Sequence, residues 1–177
     1  CRATRENDAL TGELYRRTGC MPHATYPREA LASLRAAGLD LSDRKLPSQG
    51  AYNFYRLTGE FRESACTMSG SGLLNIHSLT YDGFALQYAG VRQEQLGPLA
   101  RHQHTAPLSS GGAALLGVAP GVPVVPAHAD GALHQIASGA AAPGRMTLSV
   151  GTSGAVRLTA RRPVIPEGRQ LFCYYGA

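Results

Sequence analysis

Residues 151–154, Gly-Thr-Ser-Gly within "MTLSVGTSGAVRLTARRP", put small side chains and two hydroxyls on one short turn. At Gly151 and Gly154 no Cβ shields the backbone N–H groups, and Thr152 and Ser153 add donors, a combination that suits phosphate oxygens. Glycine-bearing hairpin tips also arise from turn geometry alone. Asp130 is the second candidate. It follows the apolar run Val122–Val125 and opens a helix-compatible stretch, where a carboxylate can take a proton from a substrate hydroxyl. The commoner role of such an Asp is to cap the helix.

Other chemistry is poorly supported. His102 and His104 form an HxH, and His128 and His134 flank Asp130, but no third ligand stands at a recognisable spacing, so no metal site is expected. Cys1, Cys20, Cys66 and Cys173 are scattered without a CxxC pair and read as free or buried thiols. The chain has no GxxxxGK[ST], GxGxxG or GxSxG motif. Any ATP chemistry here does not use a P-loop.

The elements that must position these residues follow from local signals. "ENDALTGELYRRTG" predicts a helix stopped by Gly19, and "YPREALASLRAAG" a second one, with Pro27 in its first turn, Ala30, Leu31 and Leu34 on its packed face and Gly38 after its end. "SQGAYNFYRLTGE" predicts a third, between an N-cap at Ser48 and a stop at Gly59, with Tyr52, Phe54 and Tyr55 expected to pack. The Ser/Thr/Gly-rich stretch 64–80 predicts a loop, and "YDGFALQYAG" a short helix. Val122–Val125 then predicts a strand leading through a loop to the helix near Asp130, as in open α/β sheets. Residues 147–150 and 155–158 predict a β-hairpin across the small turn, and 171–175 a further strand.

Composition limits the function classes. With 177 residues, 44% hydrophobic and 16% charged, and 21 Gly and 11 Pro, the chain has the make-up of an ordinary globular protein with a generous loop content. No apolar run reaches the roughly 18 residues of a bilayer span, and no secretion pattern opens the chain, so a cytoplasmic protein without membrane contact is expected. The net charge of +5 comes from dispersed arginines, with Lys45 the only lysine; this disfavours a nucleic-acid surface. The opening Cys1 and the strand-like ending suggest a piece excised from a longer protein.

Taken in order, "RRTGCMPHATYP", "YNFYRLTGEF", "MSGSGLLNI", "PVVPAHADGALHQIASGA" and "MTLSVGTSGAVR" resemble the FGGY family of carbohydrate kinases over nearly the whole chain. "GTSGAVR" and "GRQLFCYY" look most like its gluconokinase branch. The resemblance implies the ribonuclease-H/actin-like ATPase fold, with residues 1–142 in the later part of the N-terminal, sugar-binding domain and 143–177 opening the C-terminal, ATP-binding domain. It implies an ATP- and Mg²⁺-dependent kinase acting on a sugar, sugar acid or polyol, gluconate favoured, and leaves a homo-oligomer open. Asp130 becomes the catalytic base, and Gly151, Thr152, Ser153 and Gly154 become the hairpin that holds ATP phosphates.

Departures stand beside the match. Relatives often carry a Lys and a Trp in the helix after "YP", where this chain reads "REALASL" and has no Trp at all. Glu63 and Ser64 stand where many relatives place an Asp. The family's Asp-x-Gly-Thr hairpin and adenosine-binding segment are absent, so these 177 residues are not expected to turn over alone. A non-catalytic sugar sensor or assembly protein built on the same fold is the alternative, and an actin-like or chaperone-type ATPase a third.

Overall fold

The computed structural model describes residues 1–176. Its helices are α1 (Arg2–Glu6), α2 (Asp8–Thr18), α3 (Pro27–Ala36), α4 (Gln49–Thr58), α5 (Ala65–Ser69), α6 (Gly83–Ala89), α7 (Ser110–Leu116) and α8 (Asp130–Ala137). Their ends follow local chemistry. The Ser48 hydroxyl accepts the Ala51 N–H at the start of α4, and the Asp82 carboxylate accepts the Ala85 N–H at the start of α6. Gly19, Gly59 and Gly90 close α2, α4 and α6 in the left-handed conformation, as the sequence leads one to expect.

The strands are short: β1 (Glu63–Ser64), β2 (Leu74–Asn75), β3 (Thr80–Tyr81), β4 (Leu99–Ala100), β5 (Ala106–Pro107) and β6 (Pro123–Val124) have two residues each, and β7 (Met146–Val150) and β8 (Gly154–Leu158) have five. β1 pairs in parallel with β4, whereas β2–β3, β5–β6 and β7–β8 are antiparallel. Three expectations are corrected here. Residues 64–80 are not one loop, because β1, α5, β2 and β3 draw on them; Ser and Thr hydroxyls bond back onto the main chain there, as Ser69 Oγ does to Cys66 O at 2.7 Å. The strand after the apolar run narrows to Pro123–Val124 and pairs antiparallel with β5. Leu171–Tyr175 joins no ladder; the Cys173 N–H donates to Gly19 O and the Tyr175 N–H to Ser69 Oγ, each at 3.0 Å.

The core gathers Ala65, Met68, Leu73, Leu74, Leu86, Ala89, Val91 and Leu96 from α5, β2, α6 and their connections. Phe54 is buried as expected, but Tyr52 and Tyr55 are half exposed, since they point away from the face of α4 that meets α7 and β1. A larger correction concerns α3. Ala30 and Leu34 are exposed, Leu31 is partly buried, and the fully enclosed residues are Arg28 and Glu29. Arg28 Nη2 lies 2.7 Å from Glu29 Oε1, and the guanidinium also donates to Thr18 Oγ1, Cys20 O and Gly72 O. The charged pair ties α3 to the end of α2 and to the turn at Gly72.

Glu63 is a second enclosed carboxylate. The Ser48 N–H and Oγ–H donate to its two oxygens at 2.7 and 2.6 Å, yet burial outweighs them and raises its pKa above the ordinary 4.5. Its proton is therefore held more tightly in the folded chain than in the unfolded one. The resulting stabilisation is fully present below 4.5 and is lost as the pH rises through the higher folded-state value. Glu63→Gln is expected to flatten that part of the profile. Urea midpoints measured from about pH 4 to 8 should move in favour of the variant as the pH rises; a gap independent of pH would contradict the assignment.

Candidate functional site

Asp130 is the first residue of α8, and the cap position before it is Ala129, whose side chain caps nothing. The capping role open to such an Asp is therefore not taken. The side chain is exposed, Oδ1 accepts the Gly131 N–H at 2.6 Å, and Oδ2 makes no hydrogen bond among the described residues. The Ala129 N–H points to Cys66 Sγ at 3.4 Å, so α5 backs the entry to the helix. Burial pushes the Cys66 thiol pKa up, which suits a packing group and not a nucleophile.

The hairpin tip has three residues, Gly151–Ser153, because Gly154 already pairs with Val150 as the first residue of β8. Neither Gly151 nor Gly154 has a positive φ. A Cβ added at either would meet nothing closer than 3.9 and 3.8 Å, respectively. The protein's own packing thus does not require glycine at the tip. What small residues provide there is open approach from outside.

Gln135 docks the two candidate motifs onto each other. From α8 its Nε2 donates to Arg157 O at 3.2 Å and to Thr159 Oγ1 at 3.1 Å, while Thr147 Oγ1 donates to its Oε1. Sequence reasoning gave this buried Gln no role, although its place five residues beyond Asp130 on the same helix and the polar Thr147 and Thr159 around the hairpin were the available signal. Residues 138–145, between α8 and the hairpin, form a hydrogen-bonded connection, with Ala140 N–H to Gln135 O at 2.9 Å and Gly144 N–H to Thr159 O at 2.9 Å.

The C-terminal segment also reaches this region. Tyr175 bonds Ser69 through its N–H, and its hydroxyl lies 3.2 Å from His102 Nδ1. His104 Nε2 meets Glu60 Oε2 at 3.1 Å, and His128 Nδ1 lies 2.9 Å from Pro126 O. These three histidines thus have separate partners, and among the described residues no three His, Cys, Asp or Glu side chains gather as a metal cage. Mg²⁺ takes few protein ligands when phosphate and water oxygens fill most of its six positions, so such a site remains compatible with that ion.

This arrangement, an exposed carboxylate at the head of a helix docked beside an open glycine-bearing hairpin, belongs to an α/β chain with the ribonuclease-H/actin-like ATPase fold. The gluconate kinase from Lactobacillus acidophilus superposes with a TM-score of 0.91 at 27% identity over 99% of this chain and 36% of that one. Ligand-bound xylulose kinase from the same organism gives 0.90 at 27% identity, with the same coverage. The model described as "FGGY family of carbohydrate kinases, N-terminal domain" matches residues 39–137. The chain belongs to the FGGY family of carbohydrate kinases.

Gluconokinase from Bacillus subtilis (strain 168) is 29% identical over 168 residues, 92% of this chain and 32% of that protein. Gluconokinase from Bacillus licheniformis is 28% identical over 167 residues. The chain spans about a third of the length of these relatives.

Proposed function

We propose that this chain is part of an ATP-dependent carbohydrate kinase that phosphorylates a hydroxyl of a sugar, sugar acid or polyol, gluconate being the favoured acceptor. The observation that carries this is the Asp130 carboxylate, exposed and with one oxygen free of hydrogen bonds among the described residues, on a helix docked through Gln135 against the hairpin that bears the open Gly151–Ser153 tip. Family membership and the names of the gluconokinase relatives support the reaction class and the acceptor.

Asp130 accepts the proton of the acceptor hydroxyl as its oxygen forms a bond to the γ-phosphorus of ATP. The bond from that phosphorus to the bridging oxygen breaks, and ADP leaves. Little covalent work falls to the protein; alignment and charge stabilisation carry most of the rate. Gly151, Thr152, Ser153 and Gly154 hold phosphate oxygens through N–H groups and hydroxyls. Mg²⁺, when bound with the nucleotide, neutralises phosphate charge.

In the same proposal residues 1–142 complete the N-terminal domain and 143–177 begin the C-terminal one. Met146, Leu148, Val150, Val156 and Leu158 of β7 and β8 are all at least 63% exposed, so this hairpin face suits coverage by further chain of the second domain. Among the described residues no helix is long and apolar enough to cross a membrane, and we place the kinase in the cytoplasm.

The test is ATP consumption by the full-length protein against sugars, sugar acids and polyols, with the product weighed by mass spectrometry. One product heavier by one phosphate names the acceptor; no phosphorylated product from any of them ends the proposal. The tip makes its own prediction. Gly151→Val should leave the melting temperature nearly unchanged, since the added atoms meet open space, and weaken binding of a non-hydrolysable ATP analogue by about tenfold or more. Unchanged affinity in calorimetry would remove the tip from the phosphate site.

A further inference from the structure

Arg157 lies four residues beyond the tip, on the face of β8 that turns towards α8. Its Nη1 donates to Ser149 Oγ on the neighbouring strand at 3.0 Å. Its guanidinium lies over Gly131, the residue after Asp130: a Cβ built there would stand 2.8 Å from Nε and 3.4 Å from Cζ and Nη2. A side chain at Gly131 would displace the guanidinium from this position. Among the described residues Arg157 forms no ion pair, and the Ser149 contact is the only hydrogen bond its side chain makes.

Among the described residues none of the Arg157 nitrogens is buried without a partner, so its remaining donors are open to a ligand from outside. A half-buried guanidinium carries five donors, and here most of them are unused beside the N-terminal end of a helix, whose partial positive charge repels it. Arginine matches oxyanions with two parallel donors, and such charge-assisted bonds are about twice as strong as neutral ones. The carbonyl of Arg157 is meanwhile fixed by Gln135, so the main chain beneath the guanidinium is anchored to the helix that carries Asp130.

We propose that Arg157 is an oxyanion-binding residue of this site, held by Ser149 between the Asp130 helix and the hairpin. The inference rests on the kinase function proposed above. Two oxyanions could fill the position, the transferring phosphoryl group of ATP or the carboxylate of a sugar-acid acceptor.

Arg157→Gln, Arg157→Lys and Ser149→Ala in the full-length protein separate these. Steady-state kinetics with gluconate and with neutral acceptors would be paired with calorimetric titrations of gluconate and of a non-hydrolysable ATP analogue. If the phosphoryl group is the partner, Arg157→Gln lowers kcat by about 10²- to 10³-fold with every acceptor and leaves gluconate binding unchanged. If the carboxylate is the partner, gluconate binding and its KM weaken by about 10- to 100-fold, while neutral acceptors keep their constants. In both cases Ser149→Ala gives a smaller loss in the same direction, and Arg157→Lys recovers part of it.

A lower melting temperature in Arg157→Gln, with kinetic and binding constants within about threefold of wild type, would overturn the proposal. A wild-type protein that phosphorylates nothing would instead overturn the kinase function; the two titrations then still decide whether Arg157 binds an oxyanion.

Discussion

Replacing Asp130 with Asn in the full-length protein is expected, on the proposed function, to lower kcat by about 10²- to 10⁴-fold, the usual contribution of a positioned general base. Asn keeps the size of the side chain and an Oδ1 that can still accept the Gly131 N–H. Helix α8 therefore keeps its first turn, and the Gln135 contacts to the hairpin, five residues further along, are untouched. What disappears is the carboxylate proposed to accept the hydroxyl proton. Affinity for a non-hydrolysable ATP analogue should stay within about threefold, which separates a chemical defect from a folding one. A wild-type rate in the Asn variant would remove Asp130 from the chemistry.

Arg28→Met is expected to have the largest effect on stability, about 3–5 kcal/mol, because it leaves Glu29 charged, enclosed and without its partner. The pair is fully enclosed, with side-chain exposures of 0% and 1%. It is already imperfect: Glu29 Oε2 has no hydrogen-bond partner. Removing the guanidinium also leaves Thr18 Oγ1, Cys20 O and Gly72 O without its donors. In urea unfolding of the full-length protein, the transition of this domain should move down by the order of 1 M or more, given usual denaturant slopes. Combining Arg28→Met with Glu29→Leu should recover much of the loss, since an apolar pair needs no desolvation of charge. A double variant no better than Arg28→Met would show that the backbone contacts, and not the stranded carboxylate, carry the cost.

The α3 helix shows where sequence reading stops. Its boundaries were visible because Pro27 and the residues near Gly38 act locally, within a turn of the helix end. Its buried face was not visible. Apolar spacing pointed to Ala30, Leu31 and Leu34, but the chain turns Arg28 and Glu29 inward, because Thr18, Cys20 and Gly72 happen to offer oxygens there. Those partners lie 8 to 44 residues away along the chain. No periodicity within one helix encodes them.

The candidate site divides along the same line. The sequence by itself determined the helix stops at Gly19, Gly59 and Gly90, the hairpin of β7 and β8, and the choice of Asp130 and residues 151–154 as the groups that could do chemistry. These rest on dihedral preferences, side-chain alternation and the order of motifs, all of which act over a few residues or are carried by residue identity. Only the tertiary structure decided that Gln135 joins the helix to the hairpin, that Arg157 lies over Gly131, that β1 pairs with β4 across 36 residues, and that the final segment bonds Gly19 and Ser69 without becoming a strand. Each depends on which surfaces meet once the core has formed. That is a property of packing among distant segments, which a local pattern of side chains cannot carry.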